Sequence, residues 1–263
     1  MVVLNISSAR WKVERAEALL DGLDKEVKAW HKTKPYGFTT RINEEFTRAS
    51  IVVKVNRHPP IVRWSLIISD IFHNLRSALD QLIWAVAVQE SPTGIPLFEK
   101  ITFPIWDDPP NSRQMQRIET LSLRMRTVIE SVQPYKGPYP GLACHPLRML
   151  REIDNTNKHQ LLMLATETVA QGSIRLTVDE VQDSPVIVIY RGEMKDGTEV
   201  VTTTFRHPHP KMKYEGVKVS AIIAIIYPEP DASGRDRDDY AVLLGIIVHL
   251  VNIIIDTVAA AAG

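Results

Sequence analysis

The chain has 263 residues, of which 44% are hydrophobic and 24% charged. That is ordinary globular usage and excludes disorder along the whole length. Lys+Arg and Asp+Glu both number 31, so the formal charge is zero; no global basic field draws in nucleic acid or an anionic membrane, and any nucleic-acid contact must come from a local patch. The same neutrality weakens repulsion between copies, so a homo-oligomer is tolerated.

The single cysteine, Cys144, excludes an intramolecular disulfide and a zinc site built on several thiolates. One thiol fits a reducing, cytoplasmic setting. At the N-terminus only Val2-Val3-Leu4 precede polar residues, too short a run for a signal-peptide core.

Residues 7 to 33 read as a long amphipathic helix, with Ser7 or Ser8 as N-cap and Trp11, Ala16, Leu19, Leu20, Leu23, Val27 and Trp30 on its apolar side. Pro35-Tyr36-Gly37 breaks it. Residues 38 to 56 read as two strands turning near Asn43-Glu44-Glu45, with Ile51, Val53 and Val55 on one face. Pro59-Pro60 opens a helix over 61–89, since proline suits a first helical turn. Ser91-Pro92-Thr93-Gly94 closes it. The run Thr102-Phe103-Pro104-Ile105-Trp106 is expected to be extended and to lie on the core. A helix is predicted over 111–132, then a Pro/Gly loop over 134–141, then a shorter helix from Pro146 to about His159.

From Gln160 to Tyr227 the period changes to two. Turns are expected at Gln171-Gly172, Asp183-Ser184-Pro185 and Asp196-Gly197, which suggests an antiparallel meander. Residues 228 to 236 form a polar loop. The last segment, Tyr240 to Val258, has nearly the length of a membrane span. Its polar residues Gly245, His249, Asn252 and Asp256 fall four, three and four apart, on one helical face. That stripe predicts an amphipathic core helix and no membrane. The expected fold is α+β: long amphipathic helices on an antiparallel sheet of an N-terminal hairpin and a C-terminal meander, with a C-terminal core helix. No linker interrupts the chain, so a single domain is expected, with a sub-boundary conceivable near 160.

Two polar motifs stand out. In the central helix, His73, Arg76 and Asp80 share one narrow stripe, and Asp70, Asn74, Ser77 and Gln81 lie beside it. An imidazole, a guanidinium and a carboxylate on one face are the groups of a general base with an oxyanion or phosphate clamp. They are equally the groups of an i,i+4 pair on a solvated face. The second motif runs from Leu150 to His159, with Arg151, Asp154, Asn155 and Lys158 on one face and His159 where the helix ends. There a basic residue also suits the helix dipole. His207-Pro208-His209 and Cys144-His145 have no fixed spacing to a third metal ligand. Neither a phosphate-binding glycine loop nor a G-x-S-x-G elbow is present, and no cofactor or metal is expected.

HNLRSALD in a helix, followed later by Asn155-x-x-Lys158-His159, resembles an uncharacterised bacterial family common in actinobacteria, whose pattern reads D-x-x-H-N-L-R-x-x-L-D-H and then D-K-H-R. Here Gln81 stands in the place of a histidine, and Asn157 and Gln160 flank Lys158-His159. That resemblance carries no activity. A looser one is to HEPN proteins, helical bundles that often act as metal-independent ribonucleases through an arginine followed by a histidine. The string from Arg76 ends on Gln81 in place of that histidine, so the resemblance implies His73 or His159 as general base, Arg76 and Lys158 on the phosphorane charge, and Asp80 orienting an imidazole. RNA is a partner only on that reading. The first expectation is a non-catalytic binding or assembly protein with a polar network between the two helices; the alternative is HEPN-like phosphodiester cleavage of the toxin type.

Overall fold

The structure is a computed structural model and describes residues 4–91, 101–137, 139, 144–157, 162, 164–170, 175–178, 184–190, 192–215, 219–226 and 237–262. The fold is α+β. In chain order the elements are α1 (Ser7–Lys32), β1 (Tyr36–Ile42), β2 (Arg48–Val55), α2 (Ile61–Glu90), α3 (Ser112–Met115), α4 (Leu123–Ser131), α5 (Pro146–Asn157), β3 (Leu164–Ala170), β4 (Arg175–Thr177), β5 (Val186–Ile189), β6 (Glu199–Thr204), β7 (Lys213–Glu215), β8 (Val219–Ile226), β9 (Arg237–Asp239) and α6 (Tyr240–Ala262). Two compact units emerge, one of Met1–Asp24, Val62–Met163 and Ile226–Gly263, the other of Lys25–Ile61 and Leu164–Ile225. Each unit gathers segments far apart in sequence, so no composition change marks its edges.

The first unit is helical. Ala9, Val13, Ala16 and Leu23 bury one side of α1. Trp11, expected on that side, is 68% exposed; it follows Ala9 by two residues, about 200° round a helix, and so points away from the buried stripe. On α2, Ile68, Ile71, Leu75, Leu79, Leu82 and Val86 are all buried, as their spacing predicts. Beyond Gln81, however, Trp84 remains 43% exposed.

The helix predicted over 111–132 is two short helices. Asn111 and Gln114 form a reciprocal capping box that starts α3. Ser122 caps α4 by accepting from the Met125 N–H, while its own N–H and hydroxyl donate to the Glu90 carboxylate at 2.6 and 2.7 Å. A tertiary contact from the end of α2 thus fixes a restart that apolar spacing alone does not reveal. α4 and α5 pack against α6.

Asp239 caps α6, accepting from the N–H groups of Ala241 and Val242. Ten apolar residues of α6 are buried. Its exposed side carries Gly245, His249 and Asp256 together with Val242 and Ile253, and Asp256 pairs with Arg10 at 2.7 Å. By length and composition, α6 is the one described helix apolar enough to cross a membrane.

The second unit holds β1 to β7, β8 up to Ile225 and the C-terminal part of α1, while β9 belongs to the first unit. Its main sheet runs β1-β2-β6-β5, antiparallel throughout. The turn between β1 and β2 is built by Asn43, whose side chain accepts the N–H groups of Thr47 and Arg48. The core is Ala49, Ile51, Val53, Met194, Val200, Val201, Phe205, Met212 and Tyr214. Pairing after Leu164 is nested: β3 with β8, β4 with β7, β5 with β6. From Val186 back to Arg175 and from their partners Thr204 on to Glu215 the distance is eleven residues each. All three pairs therefore centre close to Lys195, which leads into the Asp196-Gly197 turn, where Gly197 has φ +81°. The expected turn at Gln171-Gly172 and the loop over 228–236 lie outside the described residues, as does all but Ser184-Pro185 of the turn at 183–185.

Candidate functional site

Residues 101–107 cross the helical unit without regular secondary structure. Phe103 precedes Pro104, which disfavours helix for Phe103. The apolar side chains Ile101, Phe103, Ile105 and Trp106 drive the segment inside, and Phe103 is only 1% exposed. A buried extended segment with no strand beside it has backbone groups to satisfy. Side chains from α2, from α5 and from the turn after α4 do so, and the two polar motifs supply most of them.

The Asp80 carboxylate accepts the Phe103 N–H at 2.8 Å, and Arg76 Nη2 donates to the Phe103 carbonyl at 2.8 Å. Arg76 and Asp80 also join each other at 2.9 Å. One residue of the strap is thus gripped at both backbone groups by an i,i+4 pair whose side chains are 16% and 31% exposed. Further on, the side chain of Gln133 accepts the Trp106 N–H at 2.8 Å and donates to the carbonyls of Pro104 and Ile129. Pro104 has no N–H, so its carbonyl is its whole requirement. From α5, Arg151 donates to the Ile105 carbonyl at 3.1 Å and to the Asp107 carboxylate at 2.6 Å.

His73 lies apart from this clamp in its bonding. Its Nδ1 meets Asp154 Oδ1 at 3.1 Å, which ties α2 to α5. The imidazole is 64% exposed and the carboxylate 7%. A carboxylate acts here as acceptor, so Nδ1 carries a hydrogen, and in the neutral ring Nε2 is then the acceptor. Beside it, Asn74 donates to the Asp70 carbonyl and accepts from Lys12 Nζ at 3.3 Å.

The nine sequence candidates therefore separate. His73 and Asp154 come together across two helices, Arg76 and Asp80 come together on Phe103, and Arg151 joins the same strap further along. Asn74 faces Lys12 of α1, and Asn155 is exposed on α5. Lys158 and His159 lie outside the described residues. Phe103, Asp107 and Gln133 escaped the sequence reading as parts of this network. Their one sequence signal is the apolar run around Pro104, which has to find hydrogen-bond partners wherever it is buried.

In the strand unit, a cavity of about 330 Å³ is bordered by Tyr36, His58, Glu193, Lys195 and Asp196 among others. Its charged groups are engaged: Lys195 Nζ pairs with Glu193 at 2.8 Å, and Asp196 accepts the Val55 N–H at 2.8 Å. Among the described residues no group of three or more His, Cys, Asp and Glu side chains is placed to hold a metal ion. Comparison with family models, with curated proteins and with solved structures found no match to this chain.

Proposed function

We propose that the chain is a non-catalytic binding or assembly protein, soluble and cytoplasmic, whose two polar helical motifs form a structural network. The observation that carries this reading is the grip of Arg76 and Asp80 on both backbone groups of Phe103. Phosphodiester cleavage without a metal needs a cation aimed at the charge developing on the phosphorane. Arg76 and Arg151 are instead directed at strap carbonyls and at carboxylates. Solubility is supported by His249 and Asp256 on the exposed side of α6, where Asp256 pairs with Arg10. The test is to purify the chain without detergent and incubate it with single-stranded RNA. Intact RNA, with Arg76→Ala lowering the melting temperature, is the expected result. RNA cleavage that His73→Ala abolishes at unchanged melting temperature overturns the reading.

A second reading rests on a different observation. An exposed imidazole held through Nδ1 by a buried carboxylate is the arrangement of a general base with an orienting partner. On that reading the chain is a HEPN-like, metal-independent ribonuclease of the toxin type, with His73 as base and RNA as partner. Growth arrest on induction in a bacterial host, relieved by His73→Ala, favours it; normal growth removes it.

A further inference from the structure

The main sheet has two edges of opposite character. At one edge, β1 exposes Thr39, Thr40 and Arg41, polar and charged residues that discourage another strand from pairing there. At the other, β5 reads Val186-Ile187-Val188-Ile189 and runs on into Tyr190. These five residues are 65, 57, 59, 50 and 40% exposed. Successive side chains point to opposite faces, so the valines and the isoleucines leave both faces of the edge apolar and in water.

Among the described residues, no strand pairs with the outer side of β5. Tyr190 donates its N–H to the Val200 carbonyl at 2.9 Å, directed at β6. By alternation along an antiparallel ladder, Val186 and Val188 also direct their backbone groups at β6, while Ile187 and Ile189 direct theirs outward. No charge and no proline stands within β5 to guard that row.

We propose that β5 is a self-association edge, on which a second copy of this chain adds its own β5 antiparallel across a two-fold axis. A strand is what outward N–H and C=O groups select, and a strand apolar on both faces selects another of the same kind. With Val188 on the two-fold axis, Ile187 of one copy lies opposite Ile189 of the other, and every outward N–H of the two isoleucines meets a carbonyl. Strand addition closes the edge and leaves both faces open, so only part of the exposed surface of residues 186–190 is covered, and the paired backbone groups supply the specificity of the seam. A net charge of zero places no long-range repulsion in the way. The inference rests on the binding or assembly reading and names its partner, but it uses none of the residues of the strap clamp.

Three samples at micromolar concentration, compared by sedimentation velocity, test it: the wild-type chain, Val188→Lys and Val188→Glu. Val188 is exposed, so circular dichroism of both variants is expected to match wild type. Wild type is expected to sediment near twice the 29.7 kDa of one chain. Each variant alone is expected as a single chain, because like charges face each other at the two-fold axis. Mixed in equal amounts, the two variants are expected to regain the doubled mass. A wild-type monomer, variants that keep the doubled mass, or a mixture that stays monomeric each overturns the proposal. RNA cleavage by a chain that does associate through β5 sinks the non-catalytic reading and leaves this edge standing; a monomer that leaves RNA intact does the reverse.

Discussion

Asp80 and Phe103, 23 residues apart, are joined by a hydrogen bond of 2.8 Å from the backbone N–H of one to the carboxylate of the other. The bond connects a helix with a segment that has no strand or helix of its own. Removing the acceptor leaves a buried N–H without a partner and Arg76 without its carboxylate. Asp80→Ala is expected to lower unfolding free energy by about 1–3 kcal/mol, well beyond the few tenths of an exposed helix pair. Asp80→Asn retains an acceptor oxygen and is expected to lose less. Urea denaturation of the three proteins measures this; equal stability of Asp80→Ala and wild type contradicts it.

Gln133 provides an independent test on another part of the strap. It is 1% exposed and bonds to Trp106, Pro104 and Ile129. Gln133→Leu keeps the volume but can neither donate nor accept. With the Trp106 N–H and the Pro104 carbonyl of the strap left unsatisfied, the loss is expected at about 2–6 kcal/mol, from roughly 1–3 kcal/mol for each. A thermal melt within a degree of wild type would show that water replaces the amide without penalty.

The strap illustrates what could be read from sequence and what could not. The extended, buried course of 102–106 followed from Pro104 among apolar neighbours, and the apolar stripe of α2 followed from spacing alone. Arg76 and Asp80 were legible as special because a charged pair in so apolar a helix needs a partner, and Arg151 because it shares one polar helical face with Asp154 and Asn155. Which partner was not legible: a backbone N–H has no residue-type signature, and Gln133 sits at no periodic position. The nested strand pairs escaped for a similar reason. A run of alternating residues fixes which face is apolar, but the register of distant strands is set by the pairing they reach in three dimensions. The Asp196-Gly197 turn, a local feature, was readable.

His145 makes stability depend on pH at the start of α5. Burial pushes its imidazole below the usual histidine range, against the opposing pull of Asp107. The unprotonated Nδ1 accepts the Leu147 N–H at 3.2 Å. As pH falls, the unfolded chain takes up the proton first. The contribution of His145 is therefore fully present above the ordinary histidine value of about 6.5 and is lost as pH falls towards the lower folded value. Urea titrations at neutral and mildly acidic pH are expected to show a smaller acid loss for His145→Asn than for wild type. Parallel losses in the two proteins refute the assignment.

The exposed pair of Arg10 with Asp256 is the contrasting case. Its side chains are 44% and 64% exposed, and a 2.7 Å contact in that setting is screened by water and salt. Asp256→Ala is expected to change stability by less than about 1 kcal/mol. A larger loss, measured at moderate salt, would mean that α1 and α6 depend on this charge more than their packing indicates.

The central claim is that Arg76 and Asp80 hold the strap by its backbone, and hydrogen exchange reads that bond itself. The amide of Phe103 lies in no helix or strand, yet it is buried and bonded to a carboxylate. Slow exchange of the Phe103 amide in the wild-type chain, comparable with amides in the middle of α2 and greatly accelerated by Asp80→Ala, is the predicted result. Exchange as fast as an open loop in wild type, or equal rates in the two proteins, would contradict it.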